Sequence, residues 1–137
     1  MDALYQKQIL SFAKHSRSQE FNSTAMRTAS MDNPTCGDRV DISFDVTNGV
    51  IKNIGVRVRG CALCEAGAGL LLRSFDSISP QTAHNLADGF ADWMAKNSET
   101  IPHPEMEKFM PVREIRNRHK CVLLAFNAAI SALKSDD

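Results

Sequence analysis

The strongest structural signal in this chain is the stretch "VDISFDVTNGVIKNIGVRVRG", residues 40–60. Apolar residues alternate with polar ones on both sides of Asn48-Gly49, and this period of two is typical of half-buried β-strands. Asn-Gly readily takes positive φ at both central positions of a type I′ turn, which joins adjacent antiparallel strands. We therefore expect an antiparallel hairpin. The alternation begins near Met26, and about three strands are expected in all.

Helical periodicity surrounds this hairpin. Apolar residues recur three or four apart over residues 3–14, 61–75 and about 118–133, as on the buried side of an amphipathic helix. Ser79-Pro80 supplies an N-cap and a first-turn proline for a further helix that continues to about Lys96. The sequence therefore predicts the α+β class, with a small antiparallel sheet packed against several α-helices.

Size and composition bound the kind of protein. A chain of 137 residues with 43% apolar content is expected to form one domain over residues 1–137. Its sixteen basic and sixteen acidic side chains cancel, which argues against a nucleic-acid partner. No apolar run approaches the roughly 20 residues of a membrane span. The first residues lack a secretory pattern, so we expect a cytoplasmic protein without a membrane partner.

Four cysteines in a reducing compartment indicate metal binding or catalysis before disulfides. Cys36 lies in a predicted turn, whereas Cys61 and Cys121 lie at predicted helix starts. Helix N-termini stabilise thiolates through their partial positive charge. Asp38 adds a carboxylate to these three thiols, and such a set suits tetrahedral zinc. A candidate metal site of Cys36, Asp38, Cys61 and Cys121 follows, provided that the four residues converge in space.

Other residues near these thiols have two interpretations each. Cys64 follows Cys61 by one helical turn, so it is either a core residue or a resolving thiol or alternative ligand. His119 is either a ligand or a helix-capping residue. Arg118 and Lys120 lie beside Cys121, where cations favour a thiolate; the alternative is a solvated basic helix face.

Three segments carry a family resemblance: "NPTCGDRV" (33–40), "GVRVRGCALCEAGAGLL" (55–71) and "RHKCVLLAFNAAISAL" (118–133). They resemble, in order, the three cysteine blocks of the U-type iron-sulfur assembly proteins, which include SufU, IscU and the N-terminal domain of NifU. The resemblance implies a SufE/NifU-like α+β sandwich. It also implies Zn²⁺ in the isolated protein or a transient Fe-S cluster, with a SufS/IscS-like cysteine desulfurase and recipient apo iron-sulfur proteins as partners.

By position in these segments, the resemblance implies that Cys36, Asp38, Cys61 and Cys121 are the metal-site residues and that Cys36 accepts persulfide sulfur. The long stretch between the second and third cysteine blocks resembles the SufU branch. So does Lys120, which stands where the IscU branch has a ligand histidine. Arg118 is similar to a SufU-type arginine and, with Lys120, would serve the transfer step.

The sequence departs from the family pattern in the block "AGAGLL", in the extra thiol of Cys64, and in the early loop "HSRSQEFN". The leading hypothesis is a sulfur-transfer or scaffold protein rather than a turnover enzyme. One alternative is a zinc-binding regulatory module that binds the desulfurase without transferring sulfur. Another is a thiol oxidoreductase that uses Cys61 and Cys64 as a C-x-x-C pair.

Overall fold

The structure, a computed structural model, describes residues 3–34 and 37–134. Three antiparallel strands form one sheet in the order β1, β2, β3. Each strand therefore pairs with its neighbour in sequence, as short connections favour. The bounds of the strands are Arg27–Asn33 for β1, Asp38–Thr47 for β2 and Val50–Arg59 for β3.

The turn between β2 and β3 confirms the predicted hairpin. Thr47 pairs with Val50, which leaves the two-residue loop Asn48-Gly49. Both loop residues have positive φ, 54° and 79°, as a type I′ turn requires. This turn fixes the register that carries β3 back to the start of β2.

Four α-helices lie within the described residues, and the predicted helical segments are confirmed. Ser79 caps the third helix by accepting a hydrogen bond from the Thr82 backbone N–H at 3.1 Å, with Pro80 in the first turn as predicted. None of the described helices has both the length and the apolar character needed to cross a bilayer. Their bounds are Ala3–His15 for α1, Ala62–Phe75 for α2, Pro80–Met94 for α3 and His119–Lys134 for α4.

One face of the sheet is apolar and packs against α2 and α4. Its central strand contributes Val40, Ile42 and Phe44, all at most 1% exposed. Their alternation along β2 is the period of two that predicted the strand. The α+β class with about three antiparallel strands is therefore confirmed.

The opposite face of β2 carries a buried charge. Asp41 is only 4% exposed and binds the Arg57 guanidinium at 2.8 Å and the Arg39 guanidinium at 3.2 Å. Ser30 on β1 donates a further hydrogen bond to the same carboxylate. These polar contacts tie all three strands together across the outer face.

Residues 104–114 form a 3-10 helical segment, Pro104–Glu114, that the sequence did not predict. Its side chains Met106, Phe109 and Val112 are fully buried. The Phe109 ring lies 5.1 Å from that of Phe12 and 6.2 Å from that of Phe90, between centroids. The segment is therefore part of the core, next to the chain that leads into α4.

Candidate metal centre

The starts of one strand and two helices meet at one end of the sheet. Asp38 is the first residue of β2, and Cys61 is the N-cap residue of α2, with extended φ and ψ of −74° and 170°. The Cys61 side chain makes no capping hydrogen bond, so its thiol is available for another role. Cys121 lies in the first turn of α4, as predicted.

These three residues converge. One ligand atom from each of Asp38, Cys61 and Cys121 lies within 4.8 Å of the other two. The Cys121 thiol donates a hydrogen bond to Asp38 Oδ2 at 3.4 Å. Cys121 is fully buried and Asp38 is 4% exposed, whereas Cys61 is half-buried. Access to the cluster from solvent therefore lies on the Cys61 side.

The surroundings hold the Cys121 thiol in its protonated form. Burial raises its pKa to about 12, and the charge of Cys61 and the hydrogen bond to Asp38 act in the same direction. A thiolate at this position thus needs a positive partner. A metal ion supplies that charge and displaces the proton.

The donor set fits zinc. Two thiols and a carboxylate are common ligands of Zn²⁺, and ligand atoms around a tetrahedral ion lie about 3.5–4 Å apart. The observed spacing, within 4.8 Å, requires only small movements of the side chains. Asp38, Cys61 and Cys121 could therefore hold three of the four corners of such a site.

Cys36, the fourth predicted ligand, lies outside the described residues. The structure describes its neighbour Gly37, whose φ of +71° favours glycine. The Gly37 N–H donates to the Asn33 carbonyl at 2.9 Å, which closes a turn at the end of β1. The roles of Cys36 as ligand and as persulfide acceptor remain predictions.

Cys64 lies near the cluster but is not part of it. It is fully buried, and the described group of mutually close ligand atoms does not include it. Burial raises the pKa of its thiol to about 12, and the negative charges of Asp38, Cys61 and Cys121 add to the effect. These features favour the core interpretation of Cys64 over a reactive thiol.

The basic residues before Cys121 lie in different environments. His119 Nε2 lies 3.0 and 3.1 Å from the carbonyl oxygens of Val112 and Arg113. Carbonyls only accept, so this nitrogen donates and is directed to the backbone. The described ligand cluster does not contain His119.

Arg118 and Lys120 are exposed. Lys120 lines a pocket of about 310 Å³ together with Pro34, which precedes Cys36 by two residues. Lys120 therefore lies beside the end of β1.

Arg113 belongs to the same basic segment but packs against residues near the end of α3. Its Nε donates to the Trp93 carbonyl at 2.8 Å, its guanidinium lies 4.8 Å from the centre of the Trp93 ring, and it pairs with Glu99 at 2.8 Å. These contacts tie the 3-10 segment to the end of α3. Nothing in the sequence pattern distinguished Arg113 from its basic neighbours.

A small α+β fold gathers an aspartate and two cysteines at one end of an antiparallel sheet, and these residues could hold a metal ion. Comparison with known proteins identifies the family. Residues 4–110 match the family described as "NifU-like N terminal domain". This chain belongs to that family.

Named relatives agree with the assignment. The chain is similar to "Zinc-dependent sulfurtransferase SufU" of Bacillus subtilis, with 24% identity over 93% of this chain and 88% of the relative. It is also similar to "Iron-sulfur cluster assembly scaffold protein IscU" of Streptococcus pyogenes, with 29% identity over 76% of this chain and 67% of the relative. The predicted resemblance is therefore confirmed.

A solved structure shows the shared fold. The N-terminal part of a nitrogen-fixing NifU-like protein from Brucella abortus superposes with a TM-score of 0.82 at 22% identity, covering 93% of this chain and 90% of that chain. The similarity extends over both the sheet and the helices. The SufE/NifU-like architecture predicted from the cysteine blocks is thus the observed one.

Proposed function

We propose that this protein accepts persulfide sulfur from a cysteine desulfurase and passes it on for iron-sulfur cluster assembly. The observation that carries this proposal is the convergence of Asp38, Cys61 and Cys121 within 4.8 Å. The zinc dependence stated in the name of the Bacillus subtilis relative supports the same chemistry. The proposed recipients are apo iron-sulfur proteins, and the proposed compartment is the cytoplasm, where thiols stay reduced.

The resting site would hold one zinc ion through Asp38, Cys61, Cys121 and Cys36. Bound zinc would stabilise the thiolate forms of the cysteines, including Cys121, whose raised pKa otherwise keeps its buried thiol protonated. Asp38 supplies the hard oxygen donor among softer sulfurs. A transient iron-sulfur cluster, as cargo, would use the same thiols.

The transfer step is a thiol-disulfide type exchange. The Cys36 thiolate attacks the outer sulfur of the desulfurase persulfide and forms a new S–S bond. The S–S bond within the donor breaks, and the desulfurase cysteine leaves as a thiolate that takes up a proton. The sulfur moves without net oxidation or reduction, so no further reactant is needed.

Two exposed cations serve this step in the proposal. Arg118 and Lys120 lie three residues and one residue before Cys121, and both are solvent-accessible. Positive charge stabilises an anionic persulfide through charge-assisted contacts. Lys120 shares its pocket with Pro34, and this supports the proposed role because Pro34 precedes Cys36 by two residues in the sequence.

The alternative of a Cys61–Cys64 redox pair is less well supported. Both thiols of a redox-active pair must react, and this requires access and a sufficient thiolate fraction. Cys64 is fully buried and its pKa is raised to about 12. The sulfur-carrier proposal requires no reaction at Cys64.

The proposal is tested by incubating the zinc-loaded protein with a SufS-type desulfurase and ³⁵S-labelled cysteine, then measuring label on this chain. Cys36→Ser should lose the label while its circular dichroism stays that of the wild type. Arg116→Ala, an exposed change in the same basic run, should keep it. Wild-type labelling of Cys36→Ser would refute the assignment of Cys36. Zinc binding without any labelling of the wild type would favour the regulatory module.

A further inference from the structure

Gly60 lies between β3 and the metal-site cysteine Cys61, directly across the hairpin from Asp38. Arg39 pairs with Arg59 in the antiparallel register. Extension of that register by one residue on each strand brings Asp38 opposite Gly60. The Asp38 side chain therefore lies over the α-carbon of Gly60 and is directed toward the two thiols.

The space at Gly60 is already filled by this carboxylate. A β-carbon built on Gly60 would lie 2.6 Å from Asp38 Oδ1, 3.0 Å from its Cγ and 3.2 Å from its Cβ. The first distance is far inside van der Waals contact, so the carboxylate would have to move, and the other two are tighter than an ordinary carbon–carbon contact. No side chain at residue 60 is compatible with the observed position of the Asp38 carboxylate.

We propose that Gly60 is a positioning residue for the metal site: its lack of a side chain allows the Asp38 carboxylate to reach Cys61 and Cys121. The inference rests on the metal site of the proposed function but not on sulfur transfer. A substitution at residue 60 would displace the oxygen ligand and leave the thiols in place. The role is therefore distinct from that of a glycine needed for backbone conformation.

The atoms that a new β-carbon would meet predict which part of the structure would move. At Gly60 the obstacle is a side chain, which can shift outward without disturbing the strands. At Gly55, on the same strand, a β-carbon would meet the backbone oxygen of Glu20 at 2.0 Å. Substitution of Gly55 should therefore strain the fold, whereas substitution of Gly60 should change the ligand set.

The test is a double-mutant cycle on Zn²⁺ affinity, measured by competition with a chromophoric chelator in the absence of any desulfurase. Gly60→Ala should weaken binding about 10- to 100-fold, the range found when the groups that orient metal ligands are lost. In an Asp38→Ala background the same change should alter the affinity less than about twofold, because the displaced ligand is already absent. Equal weakening in both backgrounds, or no weakening in either, would overturn the inference.

Gly55→Ala is the matched control. It lies about 16 Å along the strand from Gly60, at about 3.3 Å per residue, and should lower the thermal midpoint without changing the Zn²⁺ affinity of the folded protein. If Gly60→Ala itself is unstable, Asp38→Ala should restore its thermal midpoint by removing the clash, and failure to restore it would overturn the inference. A wild-type chain that binds no zinc would refute the proposed metal site as a whole.

Discussion

The Cys121 thiol donates to Asp38 Oδ2 at 3.4 Å, although the two residues are 83 positions apart in sequence. Asp38 begins a strand and Cys121 lies in the first turn of α4. Only the packing of that helix against the sheet brings them together. A metal ion bound by both residues would therefore bind the folded chain far better than the unfolded one.

Zinc should accordingly stabilise the protein. At a free concentration about 100 times the dissociation constant, binding to the folded state alone adds about 2.7 kcal/mol. For a chain of this size, that corresponds to a rise of roughly 5–10 °C in the thermal midpoint. Differential scanning fluorimetry with and without Zn²⁺ measures the shift. Cys121→Ser should lose most of it, and an equal shift in that variant would place the zinc elsewhere.

The Asp41 carboxylate should make stability depend on pH in the acid range. Burial alone raises its pKa, but hydrogen bonds from Ser30 and Arg57 and the charges of Arg57 and Arg39 outweigh burial and hold the pKa below its usual value. Asp41→Asn should reduce the unfolding free energy by about 1–2 kcal/mol at pH 7.

The sign of this pH dependence follows from the lowered pKa. The contribution of Asp41 is complete above the unfolded-state pKa of about 3.9 and is lost as the pH falls through the lower folded-state pKa. The unfolding free energies of wild type and Asp41→Asn, measured with urea, should thus differ by a constant amount above about pH 5. The two values should converge below about pH 4. A difference that persists at the lowest pH, or grows there, would contradict the charge interaction.

The 3-10 segment should contribute strongly to stability. Phe109→Ala removes a fully buried ring from the cluster with Phe12 and Phe90, and such truncations cost about 3–5 kcal/mol. The adjacent Met110 is 44% exposed, so Met110→Ala should change the unfolding free energy by less than about 0.5 kcal/mol. Similar losses for both variants would show that the segment is not packed as described.

Arg113 should act as a structural residue. Arg113→Ala removes the hydrogen bond to the Trp93 carbonyl and the guanidinium over the Trp93 ring, with an expected cost of about 1–2 kcal/mol. Exposed Arg116 provides the control, and its alanine variant should be neutral. Thermal unfolding distinguishes the two. A neutral Arg113→Ala would show that its contacts with Trp93 contribute little to stability.

The parts of the fold with strong local signals were predictable. Asn48-Gly49 determines the turn through positive φ at both positions, and Ser79 determines a helix start through its side-chain oxygen. Residues 104–114 gave no such signal. Their prolines interrupt helical periodicity, and a 3-10 segment is too irregular for a repeating apolar face.

The candidate site was predictable as a set of residues but not as a geometry. The positions of Cys61 and Cys121 at helix starts came from local pattern. Their grouping with Asp38 came from donor chemistry and from the family resemblance, with convergence in space assumed. The contact between Gly60 and Asp38 depends on strand register and on side-chain direction across the hairpin. Sequence spacing alone gives neither the strand register nor the direction of the side chain.

In the proposed metal site, Asp38, Cys61 and Cys121 hold one metal ion together with Cys36. Titration with Co²⁺, followed by the thiolate-to-cobalt charge-transfer band in the near ultraviolet, tests it most directly. The band should saturate at one ion per chain. It should be weaker in Cys36→Ser, Cys61→Ser and Cys121→Ser and unchanged in Cys64→Ala. A full band in all three serine variants, or its loss in Cys64→Ala alone, would show that these cysteines do not hold the ion.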